Sequence, residues 1–499
     1  MAENILFVFL CIISMSYGWG MRGSILGGEK GAMLPGAFVG LLIARFSGIP
    51  ALQENWFVLA AAGASGFFFG GCMTYGETLG LTMKGFGTPG FRTGLAGVFV
   101  KGFAWFGVAA EIFGIAIVAG GGETYSASDL ILTYCATVPA YFIGRTLLNR
   151  PHDPKNNVFP KVYFSRTRVE YWGGHLFVFL TFFILNLVRG DWFTAAYAWI
   201  VALVAGFGWI FAQIVHVYTL PHMPMKNGKY LFGKLQKNHF VEAWKFMECL
   251  IGGFGGLSMS VAFLLLKNLL PYTETSAAYI TPFGQHDNRM AIIWTVLFLI
   301  CALRIIVEPI PKEKKIIEQF SQDKLTKEEY DTAIAKLATP PFLMQYRPLF
   351  ADIFEGVDFV LLGFLPPLLT MLGSMQTAKL TAVFVLFWVL TEEICFEQFI
   401  YRKTRHIFRV VMLGICAALM IGVYLRPSFF SAGFTLLMYA VSYELLQFLW
   451  QQRPSIIRTR IQKTGSLKGA VLSFGGQLTM HAFFIPACLL LDIVAVTMI

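Results

Sequence analysis

The chain has 499 residues, 56% of them hydrophobic and 14% charged, with a formal net charge of +10 and a mean hydropathy of +0.63. A soluble globular chain carries about 25% charged residues, so this composition excludes a soluble enzyme or binding module and points to a polytopic helical membrane protein. The excess of Lys and Arg falls in loops between apolar runs, where the positive-inside rule accounts for it without a nucleic-acid partner.

In chain order, Ile5–Trp19 follows MAEN, which has no Lys or Arg, and no small-x-small cleavage site precedes Tyr17. The run therefore reads as a retained first helix, not a cleaved signal peptide. Further runs near the roughly 20 residues needed to cross a bilayer predict spans at Ala32–Ile49, Trp56–Tyr75, Leu95–Ala119, Leu130–Leu148, Trp172–Val188 and Phe193–Tyr218. The remainder are Phe240–Leu266, Met290–Ile310, Val357–Met375, Leu380–Ile400, Phe408–Leu425, Phe429–Trp450 and Met480–Met498. The expected fold is an all-α polytopic integral membrane protein of about fourteen transmembrane helices.

The loops test that plan. Cations collect in Asn149–Tyr171, Thr219–His239, Pro311–Pro348, Tyr401–Ile407 and Gln451–Gly469, while Gly120–Asp129 has none. All five basic loops fall on one side, which puts both termini on the non-cytoplasmic side. The chain divides into a Gly-rich half, residues 1–239, and a second half, residues 240–499, that carries the cytoplasmic loop 311–348. Seven spans in each half would be related by an inverted repeat, a common transporter plan. Glycine interruptions at Gly20–Gly31 and Gly252–Gly256 are the only echo between the halves. Roughly 27 of the 49 glycines lie before residue 150, which predicts close helix packing in the first five spans. Within the long loop, Thr326-x-x-Glu329 followed by Tyr330, Ile334 and Leu337 on one face predicts a short amphipathic helix.

The most informative segment is YGWGMRGSILGGEKGAMLPGAFVG, Tyr17–Gly40. Irregular backbone at membrane depth survives only where protein buries it or water reaches it, and ionisable groups there default to function. It is not a nucleotide-binding P-loop, because Glu29 separates Gly28 from Lys30 and Gly31 replaces the hydroxyl residue. Its backbone N–H groups, a helix N-terminus near Ala32, and Arg22 and Lys30 suit an anion. A second Gly-rich hairpin, Thr74–Gly85, brings Glu77 and Lys84 to the same side. Arg22, Glu29, Lys30, Glu77 and Lys84 are therefore the expected substrate-binding set. Glu111, mid-span in AWFGVAAEIFGIAIVAG, Glu248, and Glu393 with Glu397 one turn on are the expected proton-coupling groups.

Thr391–Phe399 resembles the E-E-x-x-x-R motif of CAAX-type intramembrane proteases, but Glu397 stands where that family has arginine. Gly63-Ala64-Ser65-Gly66 is similar to the rhomboid serine motif, without the Gly-flanked histidine two spans later. The eight cysteines form no C-x-x-C and predict neither disulfides nor a thiolate metal site. No motif calls for a metal or a cofactor.

The leading expectation is a secondary, proton-coupled transporter of a polar, anionic small solute, with its site open to the cytoplasm. It would reside in the plasma membrane (the inner membrane in a bacterium), in contact with lipids, alone, as a homo-oligomer or within a membrane complex. The alternative is a membrane-embedded transferase or hydrolase acting on a lipid-linked group, with His175, His216, Glu77 and Glu393 as acid–base residues.

Overall fold

The computed structural model describes residues 2–22, 28–71, 75–84, 87–119, 125–219, 243–270 and 324–337, with a few single positions elsewhere. Regular structure there is helical: α1 (Ala2–Arg22), α2 (Gly28–Phe46), α3 (Pro50–Glu54), α4 (Trp56–Gly70), α5 (Gly76–Thr82), α6 (Pro89–Ala119), α7 (Ala127–Asn149), α8 (Trp172–Val188), α9 (Trp192–Thr219), α10 (Ala243–Leu266) and α11 (Lys327–Leu337). Among the described residues the nearest approach to a strand is a single antiparallel bridge between Asp153 and Val158. Five helices, α1, α6, α7, α9 and α10, are long and apolar enough to cross a bilayer. The protein is thus all-α and multi-pass.

Every span expected between Ile5 and Leu266 coincides with a helix. The spans expected beyond residue 270, and with them the count of fourteen and the inverted repeat, lie outside the described residues. Two glycine-rich segments read differently in the fold. Helix covers both ends of Gly20–Gly31, with α1 reaching Arg22 and α2 including Gly28, and residues 23–27 lie outside the described residues. Gly252–Gly256 is no break at all, because α10 runs through it.

Those glycines are contact surfaces. A Cβ added at Gly252 would land on the Met15 carbonyl, and one at Gly256 on the Cys11 carbonyl, so α1 and α10 pack backbone to backbone. Gly36 and Gly63 stand in the same relation across α2 and α4, each against the other's carbonyl. Lipid offers apolar side chains no reason to leave it, so association in a membrane depends on this close fit. Pro35, which removes a hydrogen bond inside α2, is accommodated against Gly18 of α1.

The pairings close a ring in the order α1, α2, α4, α6, α9, α10 and back to α1. Neighbours run antiparallel, as the facing pairs Phe7–Phe46 and Gly18–Pro35, Gly66–Ala109 and Gly70–Trp105, and Gly102–Trp209 and Gly114–Thr194 show. The α7–α8 hairpin packs outside through α8, while α5 lies against α6 and α9. Rings of Trp19, Phe67, Trp105, Phe106 and Trp209 meet in the interior, with Trp19 4.9 Å from Phe106 and 5.0 Å from Trp105 between centroids. The antiparallel order gathers the end of α1, the start of α2, the end of α4, α5, the start of α6, the end of α9 and the start of α10 at one end. This end carries Arg22, Lys30, Lys84 and Arg92, and it is called the basic end below.

α11 carries the expected capping box. Thr326 donates its N–H and hydroxyl to Glu329 Oε2 at 2.8 and 2.9 Å, and Glu329 N–H returns to Thr326 Oγ1 at 3.3 Å.

The backbone contact at α1–α10 leaves no atom free to yield. Gly252→Val should cost about 3 kcal/mol, the upper end for overpacking. Gly80→Ala, where open space surrounds the added methyl, should gain up to about 1 kcal/mol from helix propensity. Thermal unfolding in detergent checks both; equal shifts would contradict the packing described.

Candidate functional site

Three polar groups among the described residues bring ionisable side chains into the bundle. The first holds a loop to the basic end. Lys101, midway along α6, is 1% exposed and pairs with Glu170 at 2.7 Å; Glu170 is also 1% exposed. Lys101 Nζ donates as well to Thr78 Oγ1 at 2.7 Å, and Thr78 donates to the Phe164 carbonyl at 3.2 Å. Glu170 Oε2 accepts from Phe164 N–H at 2.9 Å and Trp172 Nε1 at 3.0 Å. Two Lys101 donors and both Glu170 oxygens are thereby engaged, the kind of pairing with which a charge pair survives burial. Glu77 fastens the outer part of the same loop: it accepts from Arg166 N–H at 2.7 Å, from Thr167 N–H at 3.0 Å and from the Thr167 hydroxyl. Partial burial acts to raise the Glu77 titration, but the Thr167 and Arg166 bonds and the Arg168 charge outweigh it and hold the carboxyl below the ordinary glutamate range.

The second group sits where α5, α9 and α10 meet. Glu248 Oε1 accepts from Tyr75 OH at 3.2 Å and Trp244 Nε1 at 2.9 Å. The Trp244 ring lies edge-on to His216 at 5.5 Å. His216 Nδ1 is 3.2 Å from Gln213 Oε1, and Gln213 donates to Thr82 Oγ1 at 2.6 Å.

The third group occupies the opposite end of the bundle. Glu111 is fully buried in α6. Its Oε2 lies 2.6 Å from Asn186 Nδ2 of α8, and Oε1 has no hydrogen-bond partner among the described residues. Asn186 Oδ1 is 2.9 Å from the Tyr125 oxygen, which is 2.5 Å from Asp191 Oδ2. Asp191 Oδ1 accepts from Thr194 N–H at 2.8 Å, capping the start of α9. Burial pushes the Asp191 carboxyl above the usual aspartate range, with the Thr194 and Tyr125 bonds pulling only partway back. Burial and the nearby Asp191 drive the Tyr125 hydroxyl far above its ordinary range, so it keeps its proton.

Of the residues expected from sequence, Glu29 and Lys30 fall in the first turn of α2, and Arg22 ends α1. The helix thus already includes Gly28, four residues before Ala32. Lys84 is exposed beyond the end of α5, its stem across Gly90. Glu77 lies on the same end, engaged by the loop. Glu111 and Glu248 are both buried in different surroundings: one bonds to Asn186 of α8, the other to Tyr75 and to Trp244 of its own helix. Glu393 lies outside the described residues. Glu170, Asn186, Tyr125 and Asp191 were not among the expectations, although Asn186 is a lone amide in an apolar run and Asp191 stands directly after a Gly at a helix start. Both ring nitrogens of His175 face backbone carbonyls, Tyr171 at 3.0 Å and Phe69 at 2.9 Å, which ties α8 to α4.

Comparison with protein-family models, curated proteins and solved structures returned no match to this chain. The fold and its buried polar groups define a multi-pass helical membrane protein with ionisable side chains held inside the bundle.

Arg166 and Arg168 are exposed and report on the loop. Lys101→Met leaves the Glu170 charge buried without its cation, a loss of about 3–5 kcal/mol, and should expose the loop to trypsin; Lys101→Met/Glu170→Met should restore part of the resistance. Because Glu77 titrates lower with the loop docked than free, its contribution is present at neutral pH and is lost as pH falls through that depressed value. Glu77→Gln at neutral pH should therefore speed cleavage at the two arginines, by less than Lys101→Met. Cleavage unchanged in both would contradict the anchoring.

Proposed function

We propose that the chain is a secondary transporter that couples proton movement to a polar, anionic small solute loaded from the basic end. The observation that carries this reading is Glu111: a carboxyl fully buried in a membrane-grade helix, with one oxygen on Asn186 and the other lacking a partner among the described residues. A carboxyl kept there is costly, and proton handling is the best-attested use for it. The anionic cargo is supported by the start of α2, which lies at the end of the bundle where Arg22, Lys30 and Lys84 fall in the sequence and where the helix dipole favours an anion. Glu29 and Glu77 complete the substrate-binding set, Glu77 through the loop it holds. Glu248 and Glu393 are the further proton-coupling groups of this scheme. By the positive-inside rule the basic end is cytoplasmic. The fourteen-span plan with both termini outside, its two inverted halves and a plasma-membrane location belong to the same proposal.

The alternative, an enzyme acting on a lipid-linked group, has no observation in its favour. One of its two histidines, His175, spends both ring nitrogens on backbone carbonyls.

In liposomes holding the full chain, an outward-acid pH gradient with inorganic phosphate or succinate as probe anion should drive dye-reported lumenal acidification. Glu111→Gln should lower that coupled flux at least tenfold; unchanged flux in the variant would refute the coupling role. Mass spectrometry of the gently purified protein should find a polar anion that Arg22→Ala/Lys30→Ala loses. A retained lipid-linked intermediate sensitive to the same change would instead favour the enzyme.

A further inference from the structure

The third polar group carries a count of hydrogens. Between Asp191 and Glu111 lie three oxygen-to-oxygen or oxygen-to-nitrogen links, Asp191 Oδ2–Tyr125 at 2.5 Å, Tyr125–Asn186 Oδ1 at 2.9 Å and Asn186 Nδ2–Glu111 Oε2 at 2.6 Å. The Tyr125 phenol has one hydrogen and two oxygen neighbours. It cannot donate to both. A primary amide presents an acceptor on one side and donors on the other, and a half-turn exchanges them.

With both carboxyls ionised, Tyr125 donates to Asp191. Asn186 then either faces the phenol oxygen with Oδ1, leaving a link with no hydrogen, or faces a charged Glu111 with Oδ1. With both protonated and the amide as described, Glu111 must carry its proton on Oε1, which has no partner among the described residues. One proton on the pair satisfies every link, in two ways. In the first, protonated Asp191 donates to Tyr125, Tyr125 donates to Asn186 Oδ1, and Asn186 Nδ2 donates to the Glu111 carboxylate. In the second, Tyr125 donates to the Asp191 carboxylate, the turned amide donates to Tyr125, and protonated Glu111 donates to Asn186 Oδ1.

We propose that Glu111 and Asp191 are a single proton-binding site, holding one proton between them and exchanging it end to end through Tyr125 and Asn186. In passing from the first arrangement to the second, the Asp191 O–H breaks as its hydrogen bonds to the Tyr125 oxygen, the former Tyr125 hydrogen moves to Asn186 Oδ1, and one Asn186 N–H gives its hydrogen to Glu111 Oε2. Asn186, an imidic acid at that point, returns to the amide as its Oδ1 hydrogen goes back to nitrogen, and a half-turn completes the second arrangement, with one hydrogen on Tyr125 and two on Asn186. The pair stores a proton without adding a second buried negative charge, and in both arrangements all three links carry a hydrogen. Among the described residues, two charged or titratable features lie near the pair. Arg189 pairs with Asp129 at 3.6 Å beside Asp191, and Tyr134 of α7 lies within the field of Glu111. Asp191 stands in the short turn between α8 and α9, so it is the end of the site nearer the bundle surface. This deepens the proton-coupling reading of Glu111, and the use of the site in transport rests on that reading.

The test is infrared spectroscopy of the full-length protein in the carbonyl-stretch region of protonated carboxylic acids. Wild type is compared with Glu111→Gln/Asp191→Asn, each prepared with and without carboxyl-¹³C aspartate or glutamate. The expected difference is one protonated carboxyl at neutral pH, part of it shifted by labelled aspartate and part by labelled glutamate. Asn186→Leu should collapse it to one residue type. No protonated carboxyl in the difference, two of them, or one belonging wholly to a single residue type in wild type would overturn the proposal. The two label shifts in wild type need no variant to fold. A split band with no proton flux in liposomes would leave the shared proton standing and remove the transport reading, so the two failures are distinguishable.

Discussion

A helix with no lipid face that carries both a lysine and a glutamate must find partners for them inside the bundle. α6 is that helix: its apolar stretch is wholly enclosed, and Lys101 and Glu111 project from it ten residues apart, a rise of about 15 Å. At that separation they cannot pair with each other, so each draws its own surroundings. Lys101 draws Glu170 and with it the loop that closes the basic end. Glu111 draws Asn186, and through it Tyr125 and Asp191 from the turns at the opposite end. The loops at the two ends of the bundle are thus positioned by charges on one central helix.

Enclosing α6 requires the other helices to come close, and this is what the glycine content supplies. The α2–α4 and α1–α10 contacts are backbone to backbone at Gly36, Gly63, Gly252 and Gly256, and they draw the ring tight enough for Trp19, Trp105 and Trp209 to meet in its interior. The aromatic rings lie level with Trp105 on α6, between Lys101 and Glu111. They keep the two polar centres chemically separate: one is an ion pair that latches a loop, the other a carboxyl with spare hydrogen-bonding capacity among the described residues. That difference gives the two ionisable residues of one helix different work, and it is why the functional proposals rest on Glu111 and not on Lys101.

Much of this was legible in the sequence because membrane helices are written in long apolar runs. The spans from Ile5 to Leu266 and the α11 cap at Thr326 and Glu329 follow from local composition alone, since length, hydropathy and a three-residue capping spacing are properties of neighbours in the chain. Glu111 stood out for the same reason, as one carboxyl in an apolar stretch. The partners did not. Lys101 and Glu170 are 69 residues apart and Glu111 and Asn186 are 75 apart, and no local pattern links residues that only helix packing brings together.

The sequence by itself therefore determined the class of protein, the helices of the described half and the presence of costly charges among them, because the bilayer constrains each segment separately. The tertiary structure decided what those charges do. It turned Gly252–Gly256 from an apparent interruption into a packing face, made Glu77 an anchor for the 163–171 loop, and joined Glu111 to Asp191 through an amide and a phenol. Hydrogen-bond partners are chosen by distance in space, and only the packed ring sets those distances.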